Sequence, residues 1–280
     1  MLTCVLFAFV SALPGMMLAA DCKATYGNGP NRFALATGSP GELGLLEVLA
    51  ERFNEQHNTS LCWVKAGSGK SLNLLKAKEV DIALVHAPAA EKKAIEEGWA
   101  VKRTLIGSNE FYIVGPENDP AGIREAKSVA DAYARIAAAK ATFLSRGDNS
   151  GTHKKEMFIW EQAGLQPGGD WYVVTGDFMM ATLRKANATD GYFMTDSSTW
   201  VAGKKDMNNL EVLFRGDPIL INTYHGLCQP AGATEGQPWA EKFIDFLGSR
   251  EGQDIIGNYG KSIYGDSMYN DAEYASQYDH

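Results

Sequence analysis

The sequence lacks the features that would place it in most common functional classes. It has no excess of positive charge: 26 Lys plus Arg stand against 34 Asp plus Glu, a formal net charge of −8 at pH 7. That balance argues against nucleic acid and anionic membrane as principal partners. It does not argue against a small anion, because a buried site answers to local donors and dipoles more than to a screened distant field. The five histidines, His57, His86, His153, His225 and His280, are scattered, and no Cys/His spacing suggests zinc. There are no convincing internal repeats, and beyond residue 20 no apolar run is long enough to cross a bilayer. Gly67-Ser68-Gly69-Lys70-Ser71 ends like a triphosphate-binding loop, yet the required first glycine falls at Val64. Ser150 and His153 are close neighbours, but the Gly-x-Ser-x-Gly elbow of an exported hydrolase is absent around Ser150.

What is present is a core-forming composition, 45% hydrophobic with aromatic residues throughout. Residues Met1 to Ala20 carry no charge, contain an apolar run from Val5 to Leu13 and end in small residues before Asp21. They resemble a secretory signal peptide, although the usual basic start is missing. Cleavage after Ala20 leaves Cys22, Cys62 and Cys228, which allow one disulfide and one thiol in any of three pairings. The expected location is periplasmic or extracellular.

Three turns carry the chemistry. Arg32 to Thr37 reads as a strand that breaks at Gly38-Ser39-Pro40 before a helix with apolar residues at Leu45, Leu46, Leu49, Ala50 and Phe53. Leu61 to Lys65 is a second strand, leading through Gly67 and Ser68 into a helix with Leu72, Leu74 and Leu75. Ala141 to Ser145 is a third, followed by Arg146-Gly147-Asp148-Asn149-Ser150-Gly151-Thr152 and a helix whose expected buried face holds Met157, Phe158 and Trp160. Each turn places hydroxyls and unpaired backbone N–H groups at a helix start, where the dipole favours negative charge. Arg146 adds a fork able to hold two oxygens of one anion. The competing reading of this block is an Arg146–Asp148 surface pair in an ordinary capped turn. His86, after the apolar strand Ile82 to Val85, faces the same choice between a place in the cleft and a structural hydrogen bond.

Strands alternating with helices imply an α/β protein with mainly parallel sheets. Turn clusters at Asn118 to Gly122 and at Asn222 to Cys228 read as crossings between two lobes. The expected division is 21–115 plus 224–280 for lobe I and 116–223 for lobe II, two mainly parallel sheets joined by two hinge strands around a cleft. The tail after Tyr264 is expected to be loosely held.

From about Leu35 to Pro230 the chain resembles the extracytoplasmic tungstate-binding proteins of ABC transporters, within the type II periplasmic-binding-protein fold. The likeness rests on Ala36-Thr37 with Ser39, Gly67 to Lys70, Asp81 to Ala87, Phe111 to Pro116, and above all Ser145 to Glu156. The resemblance implies a non-enzymatic, monomeric solute-binding protein that needs no cofactor beyond a bound oxyanion, tungstate or molybdate, and that delivers it to a membrane permease. It implies ligand contacts from Thr37, Ser39 and Ser68 in the first lobe and from Arg146 and Thr152 in the second, to which the turn's own hydroxyl at Ser150 is added as a candidate. The first loop departs from the family's hydroxyl-rich pattern at Gly38, Pro40 and Leu43, and Pro40 also lacks an N–H. Specificity is therefore where this chain is expected to differ, with sulfate, phosphate or a sensory role as the alternatives.

Overall fold

The computed structural model describes residues 21–279, so the leader expected at 1–20 lies outside the described residues. The chain opens with β1 (Ala24–Tyr26) and β2 (Asn31–Thr37), then a single-turn α1 (Ser39–Glu42) and the longer α2 (Leu45–His57). The apolar stripe Leu45, Leu46, Leu49, Ala50 and Phe53 of α2 is buried throughout, and Asn58 ends the helix in the left-handed conformation. There follow β3 (Thr59–Lys65), α3 (Ser68–Lys76), β4 (Ile82–Val85), α4 (Pro88–Glu96) and the fifteen-residue β5 (Val101–Gly115). Next come α5 (Val129–Ala139), β6 (Phe143–Ser145), α6 (Gly151–Gln162), β7 (Tyr172–Val174), α7 (Met179–Ala188), β8 (Tyr192–Asp196) and α8 (Ser197–Gly203). The chain returns through β9 (Glu211–Phe214) and β10 (Ile221–Cys228), and closes with α9 (Gln237–Gly248), α10 (Arg250–Asn258), α11 (Lys261–Tyr264) and α12 (Ala272–Ala275).

The strands form one continuous mixed ladder in the order β1-β3-β2-β4-β10-β5-β8-β6-β7, with β9 also on β5. This corrects the expectation of mainly parallel sheets. The pairs β2–β3, β2–β4, β6–β7 and β6–β8 are parallel, but every contact of β5 and β10 is antiparallel. The reason is topological: strands followed by crossover helices must run parallel, whereas β5 and β10 carry the chain out and back. Three apolar clusters fill the faces. One packs α2, α9 and α10 on the sheet, the second lies under α3 and α4 on the opposite face, and the third gathers β5, β6 and β8 with α5, α6 and α7.

Helix α6 turns a different face inward from the one expected. Trp160 is buried, together with Thr152, Glu156 and Ile159, while Met157 and Phe158 stand exposed. Gly151 and Thr152 must lie against the neighbouring loops, and the 3.6-residue period then carries 156, 159 and 160 to the core and 157 and 158 outward. Cys22 pairs with Cys62 across β1 and β3, leaving Cys228 as a buried thiol.

The tail after Tyr264 is held, contrary to expectation. Met268 and Tyr269 are buried in the first cluster, Ser108 and Asn270 exchange backbone hydrogen bonds at 3.0 and 2.7 Å, and Asp279 pairs with Arg103 at 2.9 Å. Its polar composition concealed two aromatic-core anchors. Tyr269→Ala is expected to cost about 3 kcal/mol by leaving a cavity, measured as a lower urea midpoint at unchanged slope. An unmoved midpoint would mean that the tail does not contribute to the core.

Candidate functional site

The parallel register of β2 with β3 and β4 ends three strands side by side, with Thr37 opposite Lys65 and Ala36 opposite Ala83. The loops that follow, Gly38 to Ser39, Ala66 to Gly67 and the stretch at His86, therefore emerge together. Across from them β6 ends at Ser145 and gives way to Arg146. Helices α3 and α6 both start at this seam, so their first N–H groups, which have no partner within the helix, point toward the same space.

The two sides of the seam are in contact, and at Gly151 the approach is close enough to require glycine. A methyl group at Gly151 would lie 2.6 Å from His86 Cε1, and one at Gly67 would meet Ser150 Cβ at 3.4 Å. The enclosed cavity between the loops measures about 20 Å³, room for a compact group and for no nucleotide, sugar or peptide. A much larger hollow of about 790 Å³ lies on the outer side of α6 beside Met157, Phe158 and Leu165, away from this seam. It is open to solvent and bordered by Glu161 as well as Lys154, and it does not enclose a ligand.

Five of the six expected residues line the enclosed cavity: Thr37, Ser39, Ser68, Arg146 and Ser150. Thr152 is buried in the first turn of α6 but does not form part of the wall. The hydroxyls differ in what they have left to give. Thr37 Oγ1 donates to the Leu84 carbonyl at 3.0 Å, so its proton is engaged. Ser68 Oγ accepts from the His86 N–H at 3.2 Å, which leaves its own proton available. Ser150 is the N-cap of α6, its Oγ accepting from the His153 N–H at 3.3 Å. Gly38 has φ −95°, outside the left-handed region; its value lies in the lack of a side chain, since a Cβ there would stand 3.3 Å from the Ala66 carbonyl.

Arg146 does pair with Asp148, but the pair is not a surface one. The Arg146 side chain is 6% exposed, one Nη donates to Asp148, the guanidinium lies 5.5 Å from the Phe178 ring centre, and Nε is buried with no partner. An orphan buried donor of this kind is costly and uncommon in a native protein, and at a cavity wall it marks a place prepared for an acceptor. Burial raises the Asp148 carboxyl, yet Arg146 and hydrogen bonds from Ser150 outweigh it and hold its pKa below the usual range. Asp196 is spent as the N-cap of α8, accepting from Thr199 N–H at 2.7 Å, Thr199 Oγ1 at 3.0 Å and the Ser198 hydroxyl. Among the described residues no carboxylate lines the cavity.

Sequence reasoning missed Phe178 and Tyr224 and left His86 undecided. All three form part of the wall. Position at a strand end was the available signal for His86, and Phe178 had none. Burial, and after it the Arg146 guanidinium, push the His86 pKa down to about 3, so the ring is neutral. His153, the proposed partner of Ser150 in a hydrolase, instead takes the Asn149 N–H on its Nδ1 at 3.1 Å. That ring nitrogen is therefore unavailable as a base for Ser150, and the hydrolase reading loses its geometry.

The fold and this donor-lined seam define a binding protein of the kind that receives a small solute between strand-end loops. A family model described as PBP superfamily domain matches residues 24–251, and the chain belongs to that superfamily, alongside anion-binding proteins of ABC transporters. It is 38% identical, over 80% of its length and 67% of the relative's, to a putative ABC transporter anion-binding protein of Haloferax volcanii. It is 33% identical to the tungstate-binding protein TupA of Peptoclostridium acidaminophilum, over 83% of this chain and 82% of that one. Among solved structures, the crystal structure of the tungstate ABC transporter from Geobacter sulfurreducens matches with a TM-score of 0.75 at 37% identity, covering 83% of this chain and all of that chain, 100%. These likenesses make the protein a binding protein and not an enzyme.

Beneath the Arg146 loop, Glu156 accepts from Tyr172 Oη at 2.6 Å, and burial pushes its pKa up to about 7. A carboxyl whose folded value lies above its unfolded one favours the folded state while protonated. That advantage fades as pH rises from about 4.5 to 7, after which the buried charge is a full penalty. Glu156→Gln should therefore gain stability relative to the parent between pH 5 and pH 8, by up to about 3 kcal/mol. Parallel stability curves for the two proteins across that range would show that Glu156 is ionised throughout.

Proposed function

We propose that this chain is an extracytoplasmic solute-binding protein that captures a tetrahedral oxyanion, tungstate foremost or molybdate, between two lobes and presents it to an ABC permease. The lobes are 21–115 plus 224–280 and 116–223, with β5 and β10 as the strands that join them. The observation that carries this reading is the buried, unpaired Arg146 Nε in a wall of hydroxyls and helix starts without a carboxylate. A fully ionised oxyanion accepts hydrogen bonds at every oxygen and donates none, so such a wall suits it. Hydrogenphosphate asks for an acceptor carboxylate, and Asp148 and Asp196 are both already engaged.

The choice of tungstate draws on tungstate-binding relatives about a third identical to this chain. Export is supported by the leader-like composition of residues 1–20 and by the Cys22–Cys62 disulfide, which belongs in an oxidising compartment. Among the described residues no helix is long and apolar enough to cross a membrane.

A thermal-shift panel of tungstate, molybdate, sulfate, phosphate and chromate tests the reading. A ligand at a hundred times its dissociation constant adds about 2.7 kcal/mol to stability, and tungstate or molybdate should give the largest shift. Arg146→Ala should keep the fold and lose roughly 2 kcal/mol of binding, about thirtyfold in affinity. Calorimetry showing full affinity in that folded variant would remove the anion from this seam.

A further inference from the structure

Phe178 stands in the cavity wall although a phenyl ring offers an anion no hydrogen bond. Its place is fixed by the backbone of the Arg146 loop. Thr175 N–H donates to the Ser145 carbonyl at 2.8 Å, and Gly176 N–H donates to the Arg146 carbonyl at 2.9 Å. Phe178 then stands directly before α7, extended at φ −70° and ψ 167°, and its own carbonyl accepts from Thr182 Oγ1 at 3.1 Å. Met179 after it is buried, so the chain is anchored on both sides of a half-buried ring.

Two cations meet this ring, one from each side of the seam. Arg146 Cζ lies 5.5 Å from the ring centre and Lys65 Nζ lies 4.2 Å from it, both within reach of a cation–π attraction. Lys65 is the last residue of β3, in register with Thr37, and its ammonium pairs with Glu42 Oε1 of α1 at 2.8 Å. Thr37 lines the cavity, and its carbonyl accepts from Ala66 N–H at 3.1 Å and from Trp63 Nε1 at 3.0 Å. Lys65 is thus tied to both ends of the first loop, by strand register at Thr37 and by an ion pair at Glu42.

We propose that Phe178 and Lys65 form a clasp across the seam: a ring fixed to the Arg146 loop holds a cation fixed to the Thr37 loop, and a bound anion leaves only after the two part. This rests on the oxyanion reading above and adds to it a pair of positioning residues. The cavity's donors come from both sides, Arg146 and Ser150 on one, Ser39 and Ser68 on the other. A contact that keeps the sides together therefore prolongs binding without supplying a donor of its own. Lys65 does not line the cavity, and the Glu42 carboxylate beside its ammonium offsets its charge at longer range. What Lys65 contributes is the short-range contact with the ring, which acts on release, where a steering charge acts on association.

The test measures sodium tungstate and sodium molybdate on the full chain, with affinity from calorimetry and release from the loss of radioactive anion into an excess of the unlabelled one. Phe178→Leu keeps an apolar side chain but removes the ring face, and it should release the anion about fivefold faster at an unchanged association rate. Lys65→Met keeps the stem and removes the charge, and its release should quicken in the same way. Phe178→Tyr keeps the ring and should release at the parent rate, a rescue that a general loss of packing would not give. The Lys65→Met, Phe178→Leu double variant should release no faster than Phe178→Leu alone, because the two residues act through one contact. Independent, multiplying effects in the double variant would overturn the clasp, as would slower association with unchanged release in Lys65→Met, the mark of a steering charge. A parent that binds while both single variants release at its rate overturns the clasp alone. A parent that binds neither anion overturns the oxyanion reading and the clasp together.

Discussion

Strand β5 is the constraint on which the rest of the molecule depends. Fifteen extended residues reach about 50 Å, long enough for a single strand to serve both halves of the ladder. Its first part pairs with β10, from Val101 opposite Cys228 to Glu110 opposite Ile221, and its last residues pair with β8 and β9. The register against β10 shifts between Tyr224 and His225, and at that level Gly107 allows Asn270 of the tail to come close. Because β5 and β10 run antiparallel to each other and to their neighbours, the parallel units on either side, β2–β3–β4 and β6–β7–β8, bring their loops to a common seam.

The seam is held ready at an energetic cost. Arg146 Nε and His86 Nδ1 are buried and unpaired, and the glycine at 151 permits an approach that a side chain would block. Proteins keep such groups where something else satisfies them. The Arg146–Asp148 pair belongs to the same economy: Asp148 orients the guanidinium through one Nη and leaves the remaining donors for the cavity. An exposed pair would contribute little to stability or orientation, but Arg146 is nearly inaccessible to solvent, so its geometry persists.

Much of the fold was legible because it rests on local rules. The stripe of α2 and the apolar run of β4 each follow from residue spacing, and the structure places them where that spacing predicts. The inward face of α6 was read wrongly because Met157 and Phe158 are more hydrophobic than Thr152 and Glu156. Contact with the neighbouring loops, which no local pattern reports, chose the latter. The tail was misjudged for a related reason: Tyr269 and Met268 are two anchors in a polar stretch, and only the cluster that receives them gives them meaning.

By itself the sequence determined the alternation of strands and helices, the three strand-end turns and the donors they carry, since backbone N–H groups and hydroxyls at a helix start are local consequences of residue type. It named five of the residues that line the cavity. Tertiary structure decided the antiparallel crossing, the pairing of Cys22 with Cys62, and the engagement of Thr37 by the Leu84 carbonyl and of Ser68 by the His86 N–H. Those are choices among partners distant in sequence. A hydroxyl, a carboxylate or an imidazole offers the same atoms in any chain, and only the folded neighbourhood settles which of them are consumed and which remain to meet a ligand.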